Sequence, residues 1–291
     1  MRYGTGVVLV AVAAVLWSGM GLAVRSIEEA GTWAVLFWRS AGMLPVLAGF
    51  VAWRSGGRIV APMRAVGLTG VAGGVGLIMA FAGAIFALQN TTVANAMFLY
   101  SAAPFVAALL GWLVLGERVR AGTWAAIALA ACGMVLMVGD GLSGGALAGN
   151  MAAICAALGF ALFTIALRWG KLSDMMPAVA IGGLMSMALA AIMLALTGEP
   201  LMVPARDIAI AAGMGAVMLG GGMVLYTLGS RVVPAAEATL LTIIEVMLGP
   251  FWVWLVLGET ASANTLIGGG FLVGAVALNA LTGVRRAVPA I

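Results

Sequence analysis

Ten apolar stretches follow one another along the whole chain, separated by short polar connections. They lie at roughly 5–24, 33–53, 65–88, 92–115, 121–139, 146–168, 175–197, 207–230, 234–257 and 262–283. Each has the ~20 residues needed to cross about 30 Å of hydrocarbon as a helix. A transmembrane β-barrel would put a polar residue at every second position of segments of about ten residues. Unbroken runs such as Trp124-Ala125-Ala126-Ile127-Ala128-Leu129-Ala130-Ala131 contradict that. The pattern predicts an all-α polytopic membrane protein with ten transmembrane helices. Composition agrees: 64% of residues are hydrophobic and 8% charged, against about half apolar and a quarter charged in soluble domains.

The hexapeptide Trp112-Leu113-Val114-Leu115-Gly116-Glu117 returns intact as Trp254-Leu255-Val256-Leu257-Gly258-Glu259, 142 residues later (259 − 117). The same offset pairs Phe98 with Leu240, Tyr100 with Thr242 and Leu16 with Leu158. The chain reads as two copies of a five-helix unit, residues 1–142 and 143–291. Five is odd, so the second copy enters the membrane from the opposite face. Two inverted repeats enclosing a site near the midplane are the architecture of alternating-access carriers.

Charge sets the expected orientation. With the N-terminus in the cytoplasm, that side receives Arg2, Arg54, Arg58, Arg64, Arg118, Arg120, Arg168, Lys171, Arg231, Arg285 and Arg286. The other side receives Arg25 and Arg206, and Arg39 stays within the second span. By the positive-inside rule both termini are expected in the cytoplasm, in a bacterial inner membrane. The net charge of +4 therefore reports topology and gives no reason to expect a nucleic-acid partner. Ala11-Val12-Ala13 resembles a signal-peptidase site, but too short an apolar run precedes it, so the first span is expected to be retained. Cys132 and Cys155 lie inside apolar runs, where they are expected to pack, and the chain has no histidine, the commonest proton shuttle and metal ligand. No metal or cofactor is expected.

A charge deep in a bilayer costs at least a few kcal/mol, so ionisable residues there are functional candidates. Glu245 sits near the middle of the ninth span with Thr242 and Gly249 on about the same face. It suits a substrate ammonium or a coupling proton, or equally a neutral carboxyl hydrogen-bonded between helices. Glu237 lies nearer the cytoplasmic end of that helix. Arg39 is placed roughly 9 Å below the outer boundary, within snorkelling reach of the surface. It could meet a substrate carboxylate or a buried acid, and a structural role is the stronger expectation. Pro104 and Pro250 should kink the fourth and ninth spans. Glycine clusters at Gly73-Gly74 and Gly220-Gly221-Gly222 are candidate flexible points. Gly70 with Gly74, and Gly270 with Gly274, have the four-residue spacing of close helix contacts. Asn95 and Gln89 are candidates for lining an exit, and Trp112 and Trp254 for interfacial anchors.

Trp17 late in the first span, Arg39 in the second, Ala87-Leu88 closing the third, Pro104 before Leu115-Gly116-Glu117, and Glu245 before Pro250 and Leu257-Gly258-Glu259 together resemble the drug/metabolite transporter superfamily, EamA type. The resemblance spans essentially the whole chain and is most like the aromatic amino-acid exporter branch. It implies outward movement of aromatic amino acids through a central cavity between the halves. Such a pocket needs aromatic walls and a few polar groups. Trp17, Met79, Tyr100, Phe160, Phe163, Tyr226 and Glu245 are the expected substrate-binding residues, with Arg39, Glu237, Pro104 and Pro250 as coupling or gating positions. Core packing or lipid contact is the competing reading for each aromatic. Val246 stands where the repeat would place a second Pro104, so the two kinks need not match.

A monomer in the lipid bilayer is expected, with a small-molecule substrate. The runner-up is a drug or general metabolite exporter, and a passive channel is the reading from a different class. An enzyme is not expected. Gly141-Leu142-Ser143-Gly144 matches the tetrapeptide of rhomboid-type serine proteases, but that chemistry needs a histidine base.

Overall fold

The computed structural model describes residues 1–144, 146–170 and 174–284, the side chains of 140–144, 235–236 and 283–284 excepted. Lys171, Arg285, Arg286 and the side chains of Gly141-Leu142-Ser143-Gly144 lie outside the described residues. Ten helices are long and apolar enough to span a membrane: α1 (Tyr3–Arg25), α2 (Thr32–Arg54), α3 (Gly67–Asn90), α4 (Val93–Leu115), α5 (Ala121–Gly139), α6 (Leu147–Trp169), α7 (Met176–Thr197), α8 (Ala205–Gly229), α9 (Glu237–Leu257) and α10 (Ala263–Thr282). No strand occurs among the described residues.

Helix packing obeys the repeat. Exchanging each helix with its counterpart five places on turns α3·α6 into α8·α1, α4·α6 into α9·α1, and α3·α7 into α8·α2, and all six pairs pack. The contacts α2·α7, α4·α9 and α5·α10 map onto themselves, and they pack too. The two copies therefore interlock across a pseudo-twofold axis instead of standing side by side.

Glycine makes the close approaches. In a membrane there is little hydrophobic gain from bringing helices together, so backbones must come near enough for dispersion and weak polar contacts to hold them. A Cβ on Gly215 of α8 would stand 1.8 Å from the carbonyl oxygen of Arg39, and one on Gly42 of α2 only 2.1 Å from that of Ala212. Gly76 and Gly159 meet backbone to backbone between α3 and α6, Gly6 and Gly229 between α1 and α8, and Gly133 and Gly268 between α5 and α10. The sequence spacing only half identifies these sites. Gly74 does meet α7 at Met185, but Gly70 faces Val66 of its own chain segment, Gly270 faces open space and Gly274 meets only Leu129 at 3.8 Å.

Three spans are interrupted. α1 breaks at Gly19, and α4 breaks at Ser101-Ala102, just before Pro104. The missing Pro104 N–H leaves no donor for the Tyr100 carbonyl, which is why the turn opens there. α8 widens into π-type turns over Met214–Gly221, reaching the expected Gly220-Gly221-Gly222 cluster. π-turns inside helices frequently mark functional positions. Pro250 lies inside an unbroken α9, and Gly73-Gly74 inside an unbroken α3. The kinks of the two repeats thus differ, as Val246 foreshadows.

Glu117 and Glu259 belong to opposite faces. Glu259 accepts from the amide of Val93, the first residue of α4, while Glu117 follows the last. A 23-residue helix separates them by roughly 34 Å at 1.5 Å per residue. Each glutamate follows a glycine in the left-handed region that ends its helix, Gly116 at φ 66° and Gly258 at φ 68°. The face carrying Arg2, Arg54, Arg118, Arg120, Arg168 and Arg231 is called the basic face below.

Candidate functional site

Glu245, Gly249 and Trp252 recur at i, i+4 and i+7, so they share one face of α9. That face points inward: Gly249 lies so close to α4 and α1 that a Cβ would meet Met97 Sδ at 1.9 Å, and Trp252 Nε1 donates to Ser18 Oγ at 2.9 Å. The carboxyl of Glu245 is half-buried deep among the helices and within electrostatic reach of the Tyr100 hydroxyl. Tyr100 is the last helical residue before the break in α4. Its ring packs edge-on to Phe160 of α6 with centroids 6.0 Å apart, and Phe160 lies 5.9 Å from Phe163. Phe163 is buried against Gly73 of α3, and Met79 of α3 packs on Gly159 of α6.

Arg39 joins the same neighbourhood from α2. Its guanidinium carbon lies 4.6 Å from the centre of the Phe81 ring and within electrostatic range of Tyr100. Only 4% of the residue is exposed. It does not snorkel, contrary to the expectation from its depth. Gly215 of the α8 π-turns lies against the Arg39 backbone and the Phe81 ring against its guanidinium, so neighbouring helices enclose the residue.

Trp17 of α1 pairs with Tyr226 of α8, centroids 5.5 Å apart. Gly222, four residues before Tyr226, lets the indole lie against the α8 backbone, since a Cβ there would be 2.3 Å from Trp17 Nε1. The expected residues therefore form two groups, Arg39–Tyr100–Glu245 with Phe160 and Phe163, and Trp17 with Tyr226. Buried polar atoms are almost always hydrogen-bonded. Here Trp17 Nε1, Arg39 Nε and Nη2, Ser40 Oγ and Thr227 Oγ1 are buried without a partner, all on α1, α2 and α8.

Several residues have other tasks. Glu237 accepts a hydrogen bond from the Tyr3 hydroxyl, tying the start of α9 to the start of α1 at the basic face. Asn95 is buried and accepts from Thr265 at 2.6 Å while Thr91 donates to Asn150 beside it at 2.7 Å. Gln89 accepts from Thr32 and donates to the Ala30 carbonyl. Both act as struts in this structure. Cys132 and Cys155 are exposed on outward faces and do not pack in the interior. Trp112 and Trp254 are exposed near helix ends, as interfacial anchors require. A groove of about 350 Å³ between α4, α9 and α10, walled by Phe98, Met247, Pro250, Phe251, Trp254 and Leu266, opens sideways onto the apolar surface. Its exposed walls face lipid, and of the proposed residues only Pro250 borders it.

Sequence reasoning missed two features. Asp207, 1% exposed at the start of α8, accepts from the amides of Glu29 and Ala30 at 2.9 and 3.0 Å and from that of Glu28 at 3.4 Å, fixing the α1–α2 loop. Its position in the first turn of a span was the available signal. The second is a matched pair of latches. Arg25 at the end of α1 contacts Glu259 after α9, Nε to Oε2 at 2.9 Å, and donates through Nη2 to the Thr91 carbonyl. Arg168 at the end of α6 pairs with Glu117 after α4 at the basic face. Exchanging the repeats carries one latch onto the other, with a one-residue slip in the arginine.

A solved crystal structure superposes on 99% of this chain and 100% of its own with a TM-score of 0.68, at 20% sequence identity, which shows a shared fold and nothing about substrate. A search of curated proteins found no match. The EamA-like transporter family profile matches twice, over residues 4–139 and again over 147–281, one match to each five-helix copy. With both copies matched, the chain belongs to the EamA-like transporter family, multi-pass membrane carriers of the drug/metabolite superfamily.

Proposed function

We propose that the protein exports aromatic amino acids across a bacterial inner membrane by alternating access, as a monomer with both termini in the cytoplasm. The two units meet at 142/143. The observation that supports the reading is Tyr100 packed edge-on to Phe160, itself against Phe163, with the Glu245 carboxyl within electrostatic range of the Tyr100 hydroxyl. An aromatic side chain stacks on the rings while the ammonium meets the carboxylate, and the Tyr100 hydroxyl serves either. Trp17 and Tyr226 form a second aromatic wall, with Met79 as an adaptable filler. The basic face is the cytoplasmic one, on the positive-inside argument. Glu237 with Tyr3, and the breaks by Pro104 and at the π-turns, act as gating elements.

The test is uptake into liposomes of radiolabelled tryptophan, phenylalanine, threonine and a cationic drug. Saturable movement of tryptophan and phenylalanine supports the reading. Movement of the drug alone favours a drug exporter, and unsaturable conduction a channel. Repeating the assay with and without a pH gradient on Glu245→Gln tests coupling: an unchanged gradient response removes Glu245 as the proton carrier.

A further inference from the structure

The Arg39 guanidinium is buried, has no hydrogen-bond acceptor at Nε or Nη2 among the described residues, and is flanked by an aromatic face. Nε and Nη2 form one edge of the planar group, and their N–H bonds point the same way. That edge is the geometry which binds a carboxylate through two parallel hydrogen bonds. Phe81 occupies the guanidinium face and leaves the edge to an in-plane ligand. Glu245 of α9 makes no hydrogen bond or ion pair with Arg39 among the described residues; both lie within electrostatic range of Tyr100.

An arginine is effectively always charged, and leaving a charge unpaired in a dry interior is costly. We infer that the Nε–Nη2 edge of Arg39 is the carboxylate-binding subsite of the carrier, so that its substrates are small organic acids and zwitterions rather than simple cations. The inference deepens the proposed function and rests on its central-cavity reading. Arg39 and Glu245, each within electrostatic range of Tyr100, then take the two ends of an α-amino acid, carboxylate and ammonium. The edge is covered by neighbouring side chains in this conformation, so carboxylate entry accompanies the parting of α2 from its cover.

The experiment uses full-length protein in liposomes and in detergent. Competition against radiolabelled tryptophan uptake is measured with tryptophan, tryptamine, which lacks the carboxylate, and indole-3-propionate, which lacks the ammonium. Losing a charge-assisted bidentate contact weakens binding by about 10- to 100-fold. Arg39→Gln is expected to weaken tryptophan and indole-3-propionate by that factor and leave tryptamine competition unchanged. Arg39→Lys, which keeps the charge but not the fork, should recover part of the loss. Equal loss for all three ligands, or no loss for any, overturns the inference. Elution of each variant as a sharp monodisperse peak checks folding. If the wild type moves no amino acid, the amino-acid reading falls by itself. The subsite is then read from thermal protection by indole-3-propionate and benzoate. Protection of the wild type and not of Arg39→Gln upholds it, and protection of both or neither overturns it.

Discussion

The two latches are related by the repeat but unequal in shielding, and under the alternating access proposed above that inequality sets which face opens more readily. At the face opposite the basic one, the Arg25 and Glu259 side chains are 25% and 23% exposed, while at the basic face Arg168 and Glu117 are 45% and 38% exposed. Arg25 also holds the Thr91 carbonyl and Glu259 also holds the Val93 amide at 2.7 Å. Arg25 Nε makes an ion contact with its N–H directed away from the carboxylate, which keeps the pair below a full bidentate bridge. The charge-assisted bond from the Val93 amide to Glu259 is worth about 1.5 to 2 kcal/mol, and the more exposed pair at the basic face about 0.2 to 1 kcal/mol. Glu259→Gln should therefore shift the conformational equilibrium toward opening at its face about 10- to 30-fold, and Glu117→Gln less than about fivefold at the other. Pulsed electron-spin distance measurements in liposomes read this directly. On a Cys132→Ala, Cys155→Ala background, spin labels at positions 29 and 263 report one face, and labels at 118 and 169 the other. Equal shifts from the two variants, or a larger one from Glu117→Gln, would refute the ranking.

Gly215→Ala puts a methyl into the Arg39 carbonyl, a backbone atom that cannot step aside, and should cost about 2 kcal/mol or more in stability. Gly270→Ala meets nothing within 4 Å and should be neutral or stabilising by up to about 1 kcal/mol; thermal melts in detergent compare the two. Asp207→Ala strands three loop amides and should cost about 2 to 4 kcal/mol, with faster hydrogen exchange at residues 28–30 as the readout. Asn95→Leu removes the acceptor of Thr265 and should lower the melting temperature without changing the substrate preference of whatever transport remains.

Span positions and the duplication were legible because membrane thickness and an exact hexapeptide leave strong one-dimensional marks. The predicted ends fall within a few residues of those observed, from Tyr3–Arg25 to Ala263–Thr282. The inward face of α9 was also readable, since Glu245 and Gly249 lie four apart. What the chain concealed depends on pairs distant in sequence. Nothing local distinguishes Gly268, which touches Gly133, from Gly270, which touches nothing. Arg39 looked able to reach the surface because depth along one helix ignores the second helix pressed on its backbone. Asn95 and Gln89 looked like channel lining because polarity near a span end fits a strut equally well.

The interchange of helix contacts across the pseudo-twofold axis carries a consequence for the alternating access proposed above. If every helix takes the place and tilt of its counterpart, the same chain yields a second shape whose opening faces the other way, with no new contact type required. That operation fits badly where the copies diverge: the π-turns of α8 have no twin in α3, and Val246 has none of the rigidity of Pro104. In the cycle proposed above, those mismatches are where the forward and return strokes are expected to differ.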